Sequence, residues 1–123
     1  TNAVDIQEGI SRVQDYARAG ADAIMVEGLD SKDSIKLVKE NIPSDVNMVV
    51  NLIAGGKMGP ISLDELSSLG VNLVIYSTLC LFAAHGAVDN AIRTLKENNG
   101  VLKGDEFGVS LSESNKILVS NLK

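Results

Sequence analysis

Three apolar runs each end in a side chain that could do chemistry. Ala23-Ile-Met-Val26 is followed by Glu27, Met48-Val-Val50 by Asn51, and Leu73-Val-Ile-Tyr76 by Ser77 and Thr78. A carboxylate in such a place can take a metal-bound water, or act as an acid or base if its pKa is raised. It can equally be a strand-end carboxylate paired with a loop amide or a lysine. An amide offers two donors and an acceptor oxygen, suited to a substrate carboxylate or to bonding with a neighbouring strand. Hydroxyls just ahead of a helix either bind anions together with the backbone amides or cap the helix.

The stretch Gly55-Gly56-Lys57-Met58-Gly59 could hold an anion with backbone amides and an ammonium. It has neither the G-x-x-x-x-G-K-[ST] nor the G-x-G-x-x-G spacing, so a flexible loop is the competing reading. His85 has no set of further Cys, Asp or Glu ligands around it beyond Asp89, and is expected to be a packing or surface residue. Cys80 stands outside any motif and is expected to be a small buried apolar residue. Asp64-Glu65 and Asp105-Glu106 are expected to be solvated or capping carboxylates.

The elements that must position these groups follow from periodicity. Asp5 is a plausible N-cap, with Ile6, Ile10, Val13 and Ala17 behind it at helical spacing and Gly20 as the stop. Strand Ala23–Val26 leads into a loop, and Ser31 caps a second helix with Ile35, Leu37 and Val38 apolar. Pro43 lies beyond its end. The second strand runs from Asn47 to Leu52. After the glycine-rich loop, Ser62 and Glu65 form a capping box for a short helix lined by Leu63, Leu66 and Leu69 and ended by Gly70. Val71 to Tyr76 is the third strand. A long helix follows, roughly Leu79 to Asn98, with Leu81, Ala84, Val88, Ile92 and Leu95 on one face. Residues 101–112 are polar and turn-rich, and a last short helix is expected from Glu113 to Asn121. The strands recur about every 25 residues, the length of one βα unit. In a parallel sheet or barrel all strand C-termini open on one side, so the polar ends should converge there.

Composition narrows the class. The chain has 123 residues, 45% of them apolar and only 3% aromatic, which suits an aliphatic core around a buried parallel sheet. The formal net charge is −5 with no basic cluster, so a nucleic-acid surface is not expected. No apolar run approaches the ~20 residues of a membrane span. A lone cysteine cannot form an internal disulfide, which fits a reducing, cytoplasmic compartment. A three-stranded parallel sheet leaves two edges open, and a barrel needs about eight strands to close. The pattern is that of a piece of a larger α/β structure.

Three segments add a resemblance. ARAGADAIMVEGL, NLIAGGKMGPISLDELSSLGV and VIYSTLCLFAAHGA follow one another in the order and spacing of the isocitrate lyase and phosphoenolpyruvate mutase superfamily. The first resembles a helix ending in AGAD before a strand ending in Glu. The second resembles the family's N-M-x-E-G-G-K-T-P loop and the helix after it. The third resembles the last strand and the start of the last helix. The likeness covers roughly residues 1–98. It implies the C-terminal half of a (β/α)8 TIM barrel over residues 1–100, with a tail at 101–123. It further implies Mg²⁺ and the cleavage or formation of C–C or P–C bonds in small 2-oxo or 2-hydroxy acids, through an enolate-type intermediate. A Lewis-acid cation on the developing oxyanion suits that chemistry.

Carried over by position, Glu27 matches the carboxylate near the metal and its waters, catalytic and meeting the metal indirectly through water. Asn51 matches the amide that binds a substrate carboxylate, and Ser77 a substrate-facing polar residue. Gly55 and Gly56 belong to the substrate loop. Thr1-Asn2-Ala3 looks like the remnant of an A-R-T-D-A strand end. The departures are Ala54 in place of a usual Glu, Met58-Gly59 in place of Thr-Pro, and Tyr76-Ser77 in place of Tyr-Pro. Neither the family's metal-binding aspartates nor its lysine- or cysteine-bearing catalytic loop has a match in this sequence. The chain by itself is therefore expected to be inactive, and a homo-oligomer or an association with the missing half-barrel is expected. The alternative is a noncatalytic half-barrel scaffold or binding homologue that assembles with another chain.

Overall fold

The computed structural model describes residues 5–104 and 108–122. Asp105-Glu106 and Thr1-Asn2-Ala3, singled out above, lie outside the described residues. Helix α1 (Ile6–Arg18) precedes β1 (Ala23–Met25), α2 (Lys32–Glu40), β2 (Asn47–Asn51), α3 (Leu63–Ser68) and β3 (Leu73–Ile75). Then come α4 (Leu79–Glu97) and α5 (Leu111–Asn121). The chain forms two compact units that divide between Leu79 and Cys80.

In the first unit the helix starts follow the capping residues. The Asp5 carboxylate accepts from the Glu8 backbone N–H at 2.8 Å and satisfies one of the open donors of α1. Ser31 and Ser34 bond reciprocally at the start of α2, and Ser62 and Glu65 do the same at the start of α3. Gly20 and Gly70 follow α1 and α3 with φ of +94° and +82°, left-handed conformations that glycine adopts at little steric cost.

The three strands form one parallel sheet in the order β1-β2-β3. Met25 pairs with Val49 and Val49 with Leu73, so successive strands are offset by a constant 24 residues. One face of the sheet carries Ile24, Met48 and Val50 into a core shared with Ile10, Val13, Ile35, Val38 and Leu66, each no more than 5% exposed. Burying such a side chain contributes about 1.5–3 kcal/mol. The opposite face is open. Met25, Leu73 and Ile75 stand 42%, 55% and 38% exposed, and only Val49, flanked by strands on both sides, is shielded there at 7%. The sheet is thus covered by helices on one face, half of the two-faced cover that parallel sheets ordinarily have.

In the second unit α4 and α5 bury no residue. Leu81, Val88 and Ile92, expected on the packed face of the long helix, are 54%, 61% and 64% exposed. The last helix begins two residues earlier than its apolar pattern suggests. Ser110 and Glu113 form a capping box that sets its start at Leu111. Among the described residues no helix is long and apolar enough to cross a membrane.

Candidate active site

The constant register decides which polar strand ends meet. Glu27 lies two residues beyond Met25, and Asn51 two beyond its partner Val49, so both stand at one level on the open face of the sheet. Asn51 in turn pairs with Ile75 on β3, and the Leu52 N–H donates to the Ile75 carbonyl at 2.8 Å. The Asn51 Nδ2 group donates to Glu27 Oε1 at 3.4 Å, a long bond between an exposed carboxylate and a half-buried amide. A carboxylate only accepts, so this contact orients the amide with its nitrogen toward Glu27. Asn51 Oδ1 then points away, buried and without a partner.

The loop after β2 closes over this pair. The Gly56 N–H donates to the Ile53 carbonyl at 2.9 Å, and Gly55 and Gly59 turn the chain with φ of +73° and +68°. A Cβ on Gly56 would sit 2.9 Å from the Ile53 carbonyl oxygen, so only glycine fits the turn as built. Met58, half-buried, packs against the core and anchors the loop. Together Glu27, Asn51, Gly56 and Lys57 line a cleft of about 250 Å³, walled by Leu29, Ile53 and Met58. Gly56 belongs to the cleft wall, whereas Gly55 shapes the loop from outside it.

Ser77 is exposed and lines neither this cleft nor its neighbour. On β3 the residue level with Glu27 and Asn51 is Ile75, which leaves Ser77 one pleat further out. Its neighbour Thr78 lines a second cleft of about 260 Å³ with Leu52, Ala54, Pro60, Ile61 and Tyr76. Thr78 Oγ1 is buried there without a hydrogen-bond partner, so its side chain does not cap α4. Leu52, Tyr76 and Thr78 continue the alternation of the helix-facing residues Met48, Val50 and Val74. This second cleft therefore belongs to the layer behind the Glu27–Asn51 pair.

The remaining candidates separate from the site. Glu65 is held by Lys32 across α2 and α3 and accepts from the Ser62 backbone and hydroxyl. Its pKa is lowered to about 2, first by the Lys32 hydrogen bond and then by Ser62. That marks a structural carboxylate. Asp64 is exposed in the first turn of the same helix. His85 is exposed on α4. Cys80 is exposed as well, against the expectation of a buried thiol, because α4 buries none of its side chains.

Among the described residues no three His, Cys, Asp or Glu side chains gather closely enough to hold a metal ion. Glu27 is a lone carboxylate in the cleft and could meet a cation only through a water. These residues alone do not make a Mg²⁺ site. Lys57, named above as the ammonium of the glycine-rich loop, is the one charged residue lining the cleft that does not follow a strand, among the described residues. The signal for it was the loop composition: in Ile53–Ile61 it is the sole polar side chain.

The sequence matches the phosphoenolpyruvate phosphomutase family over residues 1–96. It is 33% identical over 102 residues to a 2-methylisocitrate lyase of Bacillus subtilis, covering 80% of this chain and 33% of that protein. It is also 33% identical over 93 residues to the chloroplastic carboxyvinyl-carboxyphosphonate phosphorylmutase of Arabidopsis thaliana, covering 76% and 27%. Phosphonopyruvate hydrolase, solved in complex with oxalate and Mg²⁺, superposes with a TM-score of 0.78 over 98% of this chain and 42% of its own, at 24% identity. A 2,3-dimethylmalate lyase, described as a PEP mutase/isocitrate lyase superfamily member, superposes with a TM-score of 0.75 over 94% and 43%, also at 24% identity. The structural likenesses show the fold: three parallel strands with their helices, a portion of a (β/α)8 barrel. The chain spans about a third of the length of the curated relatives it matches.

Proposed function

The chain belongs to the phosphoenolpyruvate phosphomutase family, and on that premise we propose that it carries the substrate-binding end of a Mg²⁺-dependent lyase or mutase. The substrate is a small 2-oxo or 2-hydroxy acid, and the reaction passes through an enolate-type intermediate. The observation that supports this most is the Glu27–Asn51 pair, joined at 3.4 Å on the open face of the sheet and roofed by the glycine-rich loop. In this reading Glu27 is the proton-handling group beside the reacting carbon and orders a water of the metal. Asn51 holds the substrate carboxylate, with Gly56 leaving the loop backbone free to approach. Gly55 shapes that loop, and Ser77 approaches the substrate from the outer pleat. The direct metal ligands come from outside the described residues.

The rest of the reading follows the same line. Residues 1–100 form βα units of the barrel and 101–123 a tail, a division close to the end of the family match at residue 96. The open sheet face calls for the remainder of a barrel, and the exposed apolar side chains of α4 suit a homo-oligomer. A reducing compartment such as the cytoplasm suits the lone thiol of Cys80. The test is release of a 2-oxo acid from small 2-hydroxy acids by the whole protein with Mg²⁺. Turnover is expected to fall sharply in Glu27→Gln and to be absent from these 123 residues alone. Mg²⁺-dependent turnover by the 123-residue chain would overturn the assignment of the metal ligands.

Two observations favour a second reading, a noncatalytic half-barrel that assembles with another chain. Ala54 stands where the family loop usually has Glu, and the exposed Met25, Leu73 and Ile75 ask for a partner surface. This reading requires an assembly, and a stable monomer by sedimentation counts against it.

A further inference from the structure

The second cleft, of about 260 Å³, adjoins the Glu27–Asn51 cleft at Ile53, which lines both. Its walls are largely apolar, with Ala54, Pro60, Ile61 and Leu79 among them, and among the described residues no charged side chain lines it. Within it Thr78 Oγ1 is buried and without a hydrogen-bond partner. An orphaned buried hydroxyl costs stability, and a valine would fill nearly the same shape without that cost. A ligand group that bonds the hydroxyl and suits the apolar walls offsets it. We propose that this cleft is a specificity subsite that takes an uncharged arm of the substrate, apolar along its length and carrying one hydrogen-bonding oxygen for Thr78. This rests on the small-acid reading above, and it leaves the substrate carboxylate with Asn51.

The chemistry of the walls selects the arm. A carboxylate or ammonium moved here from water would be desolvated with no opposite charge to meet it, which is strongly disfavoured. An alkyl stretch gains by leaving water. A cavity of about 150 Å³ lined by aliphatic and aromatic side chains holds benzene, so this cleft has room for a short chain of about four to six carbons. Ala54 and Gly59 leave that room, one bringing a single methyl to the wall and the other no side chain. The Thr78 hydroxyl both donates and accepts, so a carbonyl, ether or hydroxyl oxygen can meet it. The order of residues along the chain supplies the path. Asn51 closes β2, and Ile53, common to the two clefts, follows two residues on. An arm leaving an acid held at Asn51 crosses Ile53 to enter the second cleft.

The test uses the whole protein with Mg²⁺ and isothermal titration of three probes. Pyruvate has no arm, 2-oxoglutarate has an arm ending in a carboxylate, and the 5-methyl ester of 2-oxoglutarate has an uncharged one. The ester should bind at least ~10-fold more tightly than 2-oxoglutarate. Thr78→Val should lower the ratio of ester to pyruvate affinity about 3–10-fold, the range of one neutral hydrogen bond, with a melting temperature equal to the parent's or higher. Thr78→Ser, which keeps the hydroxyl, should keep most of the ratio. Ala54→Leu should lower the ratio too, by filling the cleft. Binding of 2-oxoglutarate as tight as that of the ester, or an unchanged ratio in either Thr78→Val or Ala54→Leu, overturns this inference, and pyruvate binding then leaves the family reading standing. Failure of the parent protein to bind any of the three with Mg²⁺ overturns both.

Discussion

The Asn51 amide donates to the Glu27 carboxylate at 3.4 Å, joining residues 24 apart in sequence at the ends of adjacent strands. The spacing equals the register offset between β1 and β2, so the contact follows from one βα repeat. It leaves Glu27 exposed at the mouth of the cleft and Asn51 beneath it with one orphaned oxygen.

Replacing Glu27 with Gln keeps the shape and removes the group proposed to handle the proton. In the whole protein kcat is expected to fall about 100–10,000-fold, the usual scale of general acid–base catalysis, while oxalate still binds. Steady-state kinetics beside a binding titration separates the two. Loss of binding with little change in kcat would assign Glu27 to ligand affinity instead.

Asn51→Leu tests whether the amide is held against stability. A buried carbonyl oxygen without a donor costs about 1–3 kcal/mol, and an apolar side chain of similar size removes that cost. The variant is expected to be as stable or more stable, by about 1 kcal/mol, in a urea midpoint. At the same time kcat/KM should fall at least ~100-fold, as a site residue traded for stability would. A large loss of stability would make Asn51 a structural strand residue.

Two glycines of the loop predict different outcomes. Gly56→Ala places a methyl 2.9 Å from the Ile53 carbonyl oxygen, so the loop must shift and the cleft with it. Destabilisation of about 1–3 kcal/mol and a raised KM are expected. Gly55→Ala meets open space and only its φ of +73° opposes it, so about 1–2 kcal/mol is lost with KM little changed. Thermal melts and KM values for the pair check this. Equal effects on KM would mean that the loop does not shape the site.

Glu65 sets a pH dependence. Its folded pKa, about 2, lies below the ordinary value of 4.5 because Lys32 and the Ser62 groups favour the charged form. Its contribution is present above pH 4.5 and is lost as pH falls from there through about 2. Comparing Glu65→Gln with the parent protein by urea unfolding should give a gap at neutral pH that closes toward pH 2. Both partners are exposed, so the gap is small and shrinks in salt. A gap independent of pH would leave only the loss of the capping geometry.

Much of this was legible in the sequence. Asp5, Ser31 and Ser62 cap where their side-chain chemistry says they should, because capping is local. Glu27 and Asn51 meet because the βα repeat length fixes register. What escaped was decided by tertiary context. Ser77 ends its apolar run as the others do, but the register puts Ile75 at the level of the pair, and no pattern within one strand reveals that. Cys80 and the apolar residues Leu81, Val88 and Ile92 read as buried by type and spacing, yet α4 buries none of them. Periodicity identifies an apolar face without saying what covers it. Lys57 was named with the glycine-rich loop, but its place in the cleft beside Glu27 and Asn51 depends on glycine turns and one anchoring methionine, neither of which carries a period.

The most direct test of the central claim is an oxalate titration of the whole protein, with Mg²⁺ and again after chelation, in the parent and in Asn51→Ala. Saturable binding that needs the metal and is lost in the variant is the predicted result. Absence of binding with Mg²⁺ present, or binding indifferent to Asn51, would contradict a small-acid site at the Glu27–Asn51 end of the sheet.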